Sequence, residues 1–197
     1  MNLRNYDNVM AAKQLVAQLS NTNPISQGEH TNFGDGQLTW KDKYANIRPI
    51  YDWCGSSCEG MQLPFSDGGN VDYGLICGSG DTPVTYDDYK LAAEFTSNDI
   101  SFVSKEYSDT TYDEATNTFT RILKKVISAK KDLTIKEIGF ANYLYHGSSK
   151  YIALFYRKVL DEPISVEANS NFELTFTTVV SACANKPAEY EASVTTE

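Results

Sequence analysis

Apolar and polar positions alternate most cleanly near the C-terminal end, where Phe172, Leu174 and Phe176 are interleaved with Glu173, Thr175 and Thr177. A period of two places one side-chain set on a buried face and the other in water, which predicts a strand over Phe172–Val180. Runs rich in β-branched and aromatic residues predict further strands at Val71–Gly78, Phe102–Tyr107, Leu133–Ala141 and Tyr151–Leu160. Thr118–Ile127 fits two periods, because Phe119, Ile122, Leu123, Val126 and Ile127 also share a helical face. Its flanking threonines and the strand beyond it favour β. Asp161-Glu162-Pro163 and Glu167-Ala168-Asn169-Ser170-Asn171 read as turns.

Upstream the period changes. Val9, Ala12, Leu15, Val16 and Leu19 recur at helical spacing behind Asp7 as N-cap, and Ser20-Asn21-Thr22-Asn23-Pro24 closes the predicted helix. Glycines and prolines then punctuate an aromatic stretch that predicts short strands around Leu38–Tyr44 and Ile47–Trp53. The pattern as a whole predicts a mainly β fold, an antiparallel β-sandwich (jelly-roll or Ig-like) with an N-terminal helix. Four segments follow: a helical arm over 1–23, an irregular aromatic and Gly-rich segment packed on the sandwich over 24–70, the sandwich over 71–183, and a C-terminal tail over 184–197, rich in glutamate.

Composition narrows the function classes. At 197 residues, with 41% apolar and 22% charged positions, the chain is long enough for one sizeable core plus an arm. A net charge of −9 argues against nucleic acid as a partner, since phosphate contact needs a basic surface. Lys124-Lys125 and Lys130-Lys131 read as solvated strand or turn positions. No apolar run reaches bilayer length, so no membrane partner is expected, and the start Met1-Asn2-Leu3-Arg4 lacks the basic and apolar regions of a secretion signal. Synthesis in a cytoplasm is the expectation.

Reactive constellations are hard to assemble from these residues. His30 and His146 are the two histidines, one in the irregular segment and one in a Tyr-His-Gly-Ser-Ser turn, and each reads as an ordinary surface residue. Gly78-Ser79-Gly80 lacks the spacing of a nucleophile elbow. Asp87-Asp88 are adjacent, so their carboxylates point apart and read as solvated. Asp67-Gly68-Gly69-Asn70-Val71-Asp72 lacks the ligand spacing of a calcium loop. Cys54, Cys58, Cys77 and Cys183 lack finger-like spacing and read as reduced thiols, with a Cys54–Cys58 bridge as the alternative. The reading is therefore a non-enzyme with no catalytic residue, no cofactor and no metal. Trp40, Tyr44, Tyr51 and Trp53 stand out as candidate interface or ligand aromatics.

Five pieces occur in order: Gly78-Ser79-Gly80-Asp81-Thr82-Pro83-Val84-Thr85-Tyr86-Asp87-Asp88-Tyr89-Lys90-Leu91; Tyr112-Asp113-Glu114-Ala115-Thr116-Asn117-Thr118-Phe119-Thr120-Arg121; Ile135-Lys136-Glu137-Ile138-Gly139-Phe140; Arg157-Lys158-Val159-Leu160-Asp161-Glu162-Pro163-Ile164-Ser165-Val166; and Phe172-Glu173-Leu174-Thr175-Phe176-Thr177. In this order they resemble a domain that recurs in structural proteins of tailed-bacteriophage particles. The resemblance covers residues 71–180 and implies architectural motifs. It implies a virion protein, a decoration, fibre, neck or tail component, whose partners are other virion proteins or copies of itself. The alternative expectation is a carbohydrate- or host-surface-binding module that stacks ligands on the four aromatics.

Overall fold

The computed structural model describes residues 4, 7, 30–32, 39–49, 51–53, 70–146, 149–181 and 189–196. The described residues are mainly β, arranged in antiparallel sheets. In chain order the strands are β1 His30–Asn32, β2 Thr39–Lys41, β3 Ile47–Pro49, β4 Tyr51–Trp53, β5 Gly74–Gly78 and β6 Ile100–Tyr107. They continue with β7 Thr111–Asp113, β8 Thr118–Ala129, β9 Leu133–His146, β10 Ser149–Val166, β11 Asn171–Ser181 and β12 Glu189–Thr196. One sheet runs β10-β9-β5; a five-stranded sheet runs β12-β11-β8-β6, with β7 also paired to β8. Two small ribbons, β1-β4 and β2-β3, complete the set.

The two large sheets share one core. Leu75, Cys77, Ile138, Phe140, Ala153 and Phe155 from the three-stranded sheet meet Leu123, Ile127, Phe172, Leu174 and Phe176 from the five-stranded sheet. Phe176 is the hub of an aromatic cluster, stacked on Phe140 with ring centroids 4.9 Å apart and meeting Tyr156 edge-on at 5.3 Å. The alternation seen at Phe172, Leu174 and Phe176 is that of a strand with one face in this core.

The three-stranded sheet is buried on both faces. Its outer side carries Ile76, Ala141 and Leu154, and Leu91 from the loop over 79–99 lies down on them. A bulge between Leu154 and Tyr156 shifts the phase of β10, so Tyr156 enters the shared core opposite Phe140 while Arg157 stands on the outer face opposite Gly139.

One expectation is met and several are corrected. Thr118–Ala129 is a strand, which settles the ambiguous period. Lys125, read as solvated, is fully buried. It shares the inward parity of Leu123 and Ile127, and alternation sends one of any two adjacent residues inside. Asp161-Glu162-Pro163 is no turn: β9 pairs with Val159 and again with Ile164, so the intervening residues form an irregularity inside one long strand. Pro163, which has no N–H to give a ladder, sits in that unpaired stretch. Residues 189–196, read as tail, form β12 along β11, with Tyr190, Ala192 and Val194 packed on the core. Of the predicted helix over 7–19 only Asp7 is described; Arg4 and Asp7 have helical backbone, and the rest of the arm lies outside the described residues.

Candidate functional site

The loop over 79–99 is fastened to the outer face of the three-stranded sheet by buried charges. Glu137, fully buried on β9, accepts from Gly80 N at 3.2 Å and Ala93 N at 2.8 Å on Oε1, and from Ala92 N at 3.1 Å on Oε2. Arg157 Nε donates to the same Oε2 at 2.8 Å. Its Nη1 donates to Asp88 Oδ2 at 2.7 Å, and its Nη2 to Thr82 O and Oγ1, both at 3.1 Å. Two strand residues thereby hold both limbs of the loop. Burial pulls the Asp88 carboxyl upward, but hydrogen bonds from Thr85 and Arg157 outweigh it and leave the pKa below the usual carboxylate value.

Backbone shape makes room for these contacts. A Cβ on Gly80 would stand 2.5 Å from Glu137 Oε1, so only glycine lets that N–H approach the carboxylate. A Cβ on Gly139 would stand 2.9 Å from side-chain carbons of both Leu91 and Leu154, so this glycine admits the apolar foot of the loop. A carboxylate that receives three backbone donors and a guanidinium is an anchor: its lone pairs are committed to the loop and to Arg157.

The loop is also gripped from its other sides. Arg4 Nε pairs with Asp87 Oδ1 at 2.6 Å, and Tyr86 Oη donates to Asp7 Oδ2 at 2.7 Å, which raises the Tyr86 phenol pKa. Lys41 Nζ lies 4.1 Å from the Tyr89 ring centroid. Asp87 and Asp88, read as two solvated carboxylates, point apart as expected but serve different partners.

A second buried charge crosses between the sheets. Lys125 Nζ donates to the carbonyls of Asn70 at 2.6 Å, Tyr73 at 2.9 Å and Leu75 at 2.9 Å, so it ties β8 to the start of β5. Beside it, burial pushes the Cys77 thiol pKa up to about 12, with Lys125 pulling down and Glu94 and Glu137 pushing up. Cys77 is a free buried cysteine; Cys54, Cys58 and Cys183 lie outside the described residues.

The turn between β2 and β3 is built on another buried acid, Asp42. Asp42 Oδ1 accepts from Tyr44 N and Asn46 N, both at 2.9 Å, and Oδ2 accepts from Arg48 Nε at 2.8 Å. Burial raises the Asp42 pKa, yet the hydrogen bonds from Asn46, Arg48 and Tyr44 bring it below the usual value. Ala45 takes a φ of 69°, and Lys43 N donates to Ile152 O of β10 at 3.0 Å. The result is a fixed tip on which Tyr44 is 72% exposed and Ile47 71% exposed.

Of the four aromatics singled out in the sequence, Tyr44 is therefore placed in full. Trp40 pairs with Arg48, and Tyr51 and Trp53 pair with Asn32 and His30, through backbone register. Their side chains lie outside the described residues. His30 is on β1 and His146 ends β9, so the two histidines belong to different sheets. Among the described residues, no group of three or more His, Cys, Asp or Glu side chains could hold a metal ion. No described helix is long and apolar enough to cross a membrane.

No local motif marks Glu137 and Arg157 as the residues that fasten the loop over 79–99, or Lys125 as the one that ties β8 to the start of β5. A charged side chain at inward or covered parity in an otherwise apolar strand is the trace that identifies them. No protein-family model, no curated protein and no solved structure matches this chain.

Proposed function

We propose that this chain is a non-enzymatic structural component of a bacteriophage virion, a head-decoration, neck or tail protein that acts through repeated protein–protein contacts. In this reading the two sheets are a β-sandwich of the jelly-roll or Ig-like kind, tiled as a rigid body on a symmetric particle. Other virion proteins or copies of the chain itself are its partners, and the virion is its destination after synthesis in the host cytoplasm.

The observation that supports it is where the resembling pieces meet. Gly80, Thr82 and Asp88 of the first piece, Glu137 and Gly139 of the third, and Arg157 of the fourth converge on one clamp. Their polar groups are used to fix a loop on a sheet, which is an architectural use. Cryo-EM with quantitative mass spectrometry of purified particles tests the proposal. A defined copy number per particle is expected, and recovery of the chain solely as free protein in lysate would overturn it.

A glycan-binding role is the second reading, favoured by the exposure of Tyr44 on a fixed turn. Glycan-array binding lost on Tyr44→Ala would support it. A folded sample that leaves every spot blank would remove it.

A further inference from the structure

Acid has a grip on one part of this molecule that it lacks on another. Among the described residues the buried acids are Asp42 and Glu137. One builds the β2–β3 turn and the other fastens the loop over 79–99, so neither lies between the two large sheets. The buried charge that does cross there is Lys125, which stays an ammonium at any acid pH.

The loop itself is held by two kinds of contact. At its neck Ser79 N donates to Ala93 O at 2.9 Å and Phe95 N to Cys77 O at 3.0 Å, with Glu137 gathering Gly80, Ala92 and Ala93 N beside them. Leu91, buried against Ile76, Ala141 and Leu154, seats next to this neck. Main-chain bonds and apolar contact do not titrate. The span over 81–90 is mostly exposed, and Val84 is partly buried on the same apolar cluster. Its ion pairs to the sheet run through aspartates. Asp88 Oδ2 accepts from Arg157 of β10 at 2.7 Å, and the same carboxylate receives Thr85 N at 3.1 Å and Thr85 Oγ1 at 2.7 Å. Asp81 Oδ2 accepts from Lys136 of β9 at 2.8 Å. Arg157 also reaches Thr82, while Arg4 and Asp7 of the arm hold Asp87 and Tyr86, and Lys41 of β2 lies over Tyr89.

The hydrogen bond from Lys136 holds the Asp81 carboxyl below its usual pKa. Burial opposes the same effect at Asp88, but the bonds from Thr85 and Arg157 outweigh it. A carboxylate of this kind stabilises the attached span above about pH 3.9, and that contribution disappears as the pH falls through the folded value. Glu94, bridged to Gly78 at the neck, has the opposite sign. Burial raises its pKa, Asp72 and Glu137 add to the rise, and Lys43 and Lys90 oppose it, so its protonation comes earlier and relieves the neck.

We propose that the span over 81–90 is an acid-released flap, hinged on the Ser79–Ala93 neck, which lifts from β9 and β10 while the neck and the shared core stay folded. Lifting uncovers the Arg157 guanidinium, whose side chain is 2% exposed when the flap is seated. The device goes beyond the virion reading and does not depend on it.

Hydrogen exchange of the full chain, corrected for the intrinsic effect of pH on amide exchange, is the test. From pH ~6 to pH ~2.5 the protection of the Thr85 and Asp88 amides should fall by roughly tenfold or more, while that of Phe95 and of Phe172–Phe176 changes by less than about twofold. Asp81→Asn combined with Asp88→Asn should show the low protection already at pH ~6 and lose most of its pH dependence. Circular dichroism should retain the β signal throughout. Thr85 protection that survives at pH ~2.5 overturns the inference. So does a loss that coincides with loss at Phe172–Phe176 in one transition, or a double variant that keeps the parent's pH dependence.

Discussion

Glu137 and Arg157 are diagonal neighbours across the β9–β10 ladder, Arg157 standing opposite Gly139 and Glu137 opposite Val159, with side chains joined at 2.8 Å. Cross-strand diagonals are within reach of long side chains, and here the reach is used to anchor the loop over 79–99. Because both partners are buried, removing one leaves the other charge uncompensated. Arg157→Met should therefore cost about 3–5 kcal/mol. For a chain of this length that corresponds to a fall in Tm of very roughly 6–20 °C. Glu137→Gln should cost somewhat less, since an amide oxygen can still accept part of the backbone donors. Calorimetry checks both, and a loss below about 1 kcal/mol for Arg157→Met would show that the pair is solvated in solution.

Lys125 answers three carbonyls at once. Lys125→Met keeps much of the side-chain volume but leaves those oxygens without their donor inside the protein. Each unsatisfied carbonyl costs about 1–3 kcal/mol. The damage should be local first, with amide exchange accelerated over 70–77 before the β8–β11 ladder is affected. Exchange that rises equally in all strands would contradict that placement.

The strands were legible because their period is carried by side chains that each do one job. Phe172, Leu174 and Phe176 face the core and their neighbours do not, so alternation survives in the sequence. Glu189–Thr196 hides its strand because only Tyr190, Ala192 and Val194 face inward, and the intervening glutamates and threonines dominate the composition. Asp161-Glu162-Pro163 misleads because a bulge in a long strand uses the same residues as a turn. The clamp was illegible for another reason. Its members are brought together from positions 20 and 69 residues apart, and no local pattern encodes a pairing at such distances. The Tyr44 turn is half legible: the aromatic stands out, but the buried Asp42 that fixes it reads in the sequence as one more surface acid.

Cys77 should be chemically silent in the folded protein. Its thiol is buried and its pKa is pushed up to about 12, so almost no thiolate, the reactive form, is present at pH 8. Iodoacetamide followed by peptide mapping should leave Cys77 unmodified under native conditions and label it fully in denaturant. Native labelling at a rate close to that of the unfolded chain would mean that the core around Leu75 and Ile138 opens readily.

Glu94 gives the molecule a pH dependence opposite in sign to that of its other shifted carboxylates. Burial raises its pKa first; Lys43 and Lys90 pull it down, while Asp72 and Glu137 push it up, and the net shift is upward. A carboxyl whose folded pKa exceeds its unfolded value binds its proton more tightly when folded. Its contribution is therefore favourable relative to neutral pH once the pH falls below the folded value, and it becomes a penalty as pH rises through the interval above about 4.3. Asp88 and Asp42 behave in reverse: their folded values lie below the unfolded ones, so their stabilisation is present above about 3.9 and is lost as the pH falls through the folded values. Glu94→Gln separates the two effects. The variant should be more stable than the parent at pH 7, and the difference should shrink as the pH falls and vanish about a unit below the unfolded value of about 4.3, where Glu94 is protonated in both states. Urea midpoints at several pH values across that range provide the measurement. A variant that is less stable at pH 7 would show that the Glu94 carboxylate is held by Lys43 or Lys90 more strongly than burial opposes it.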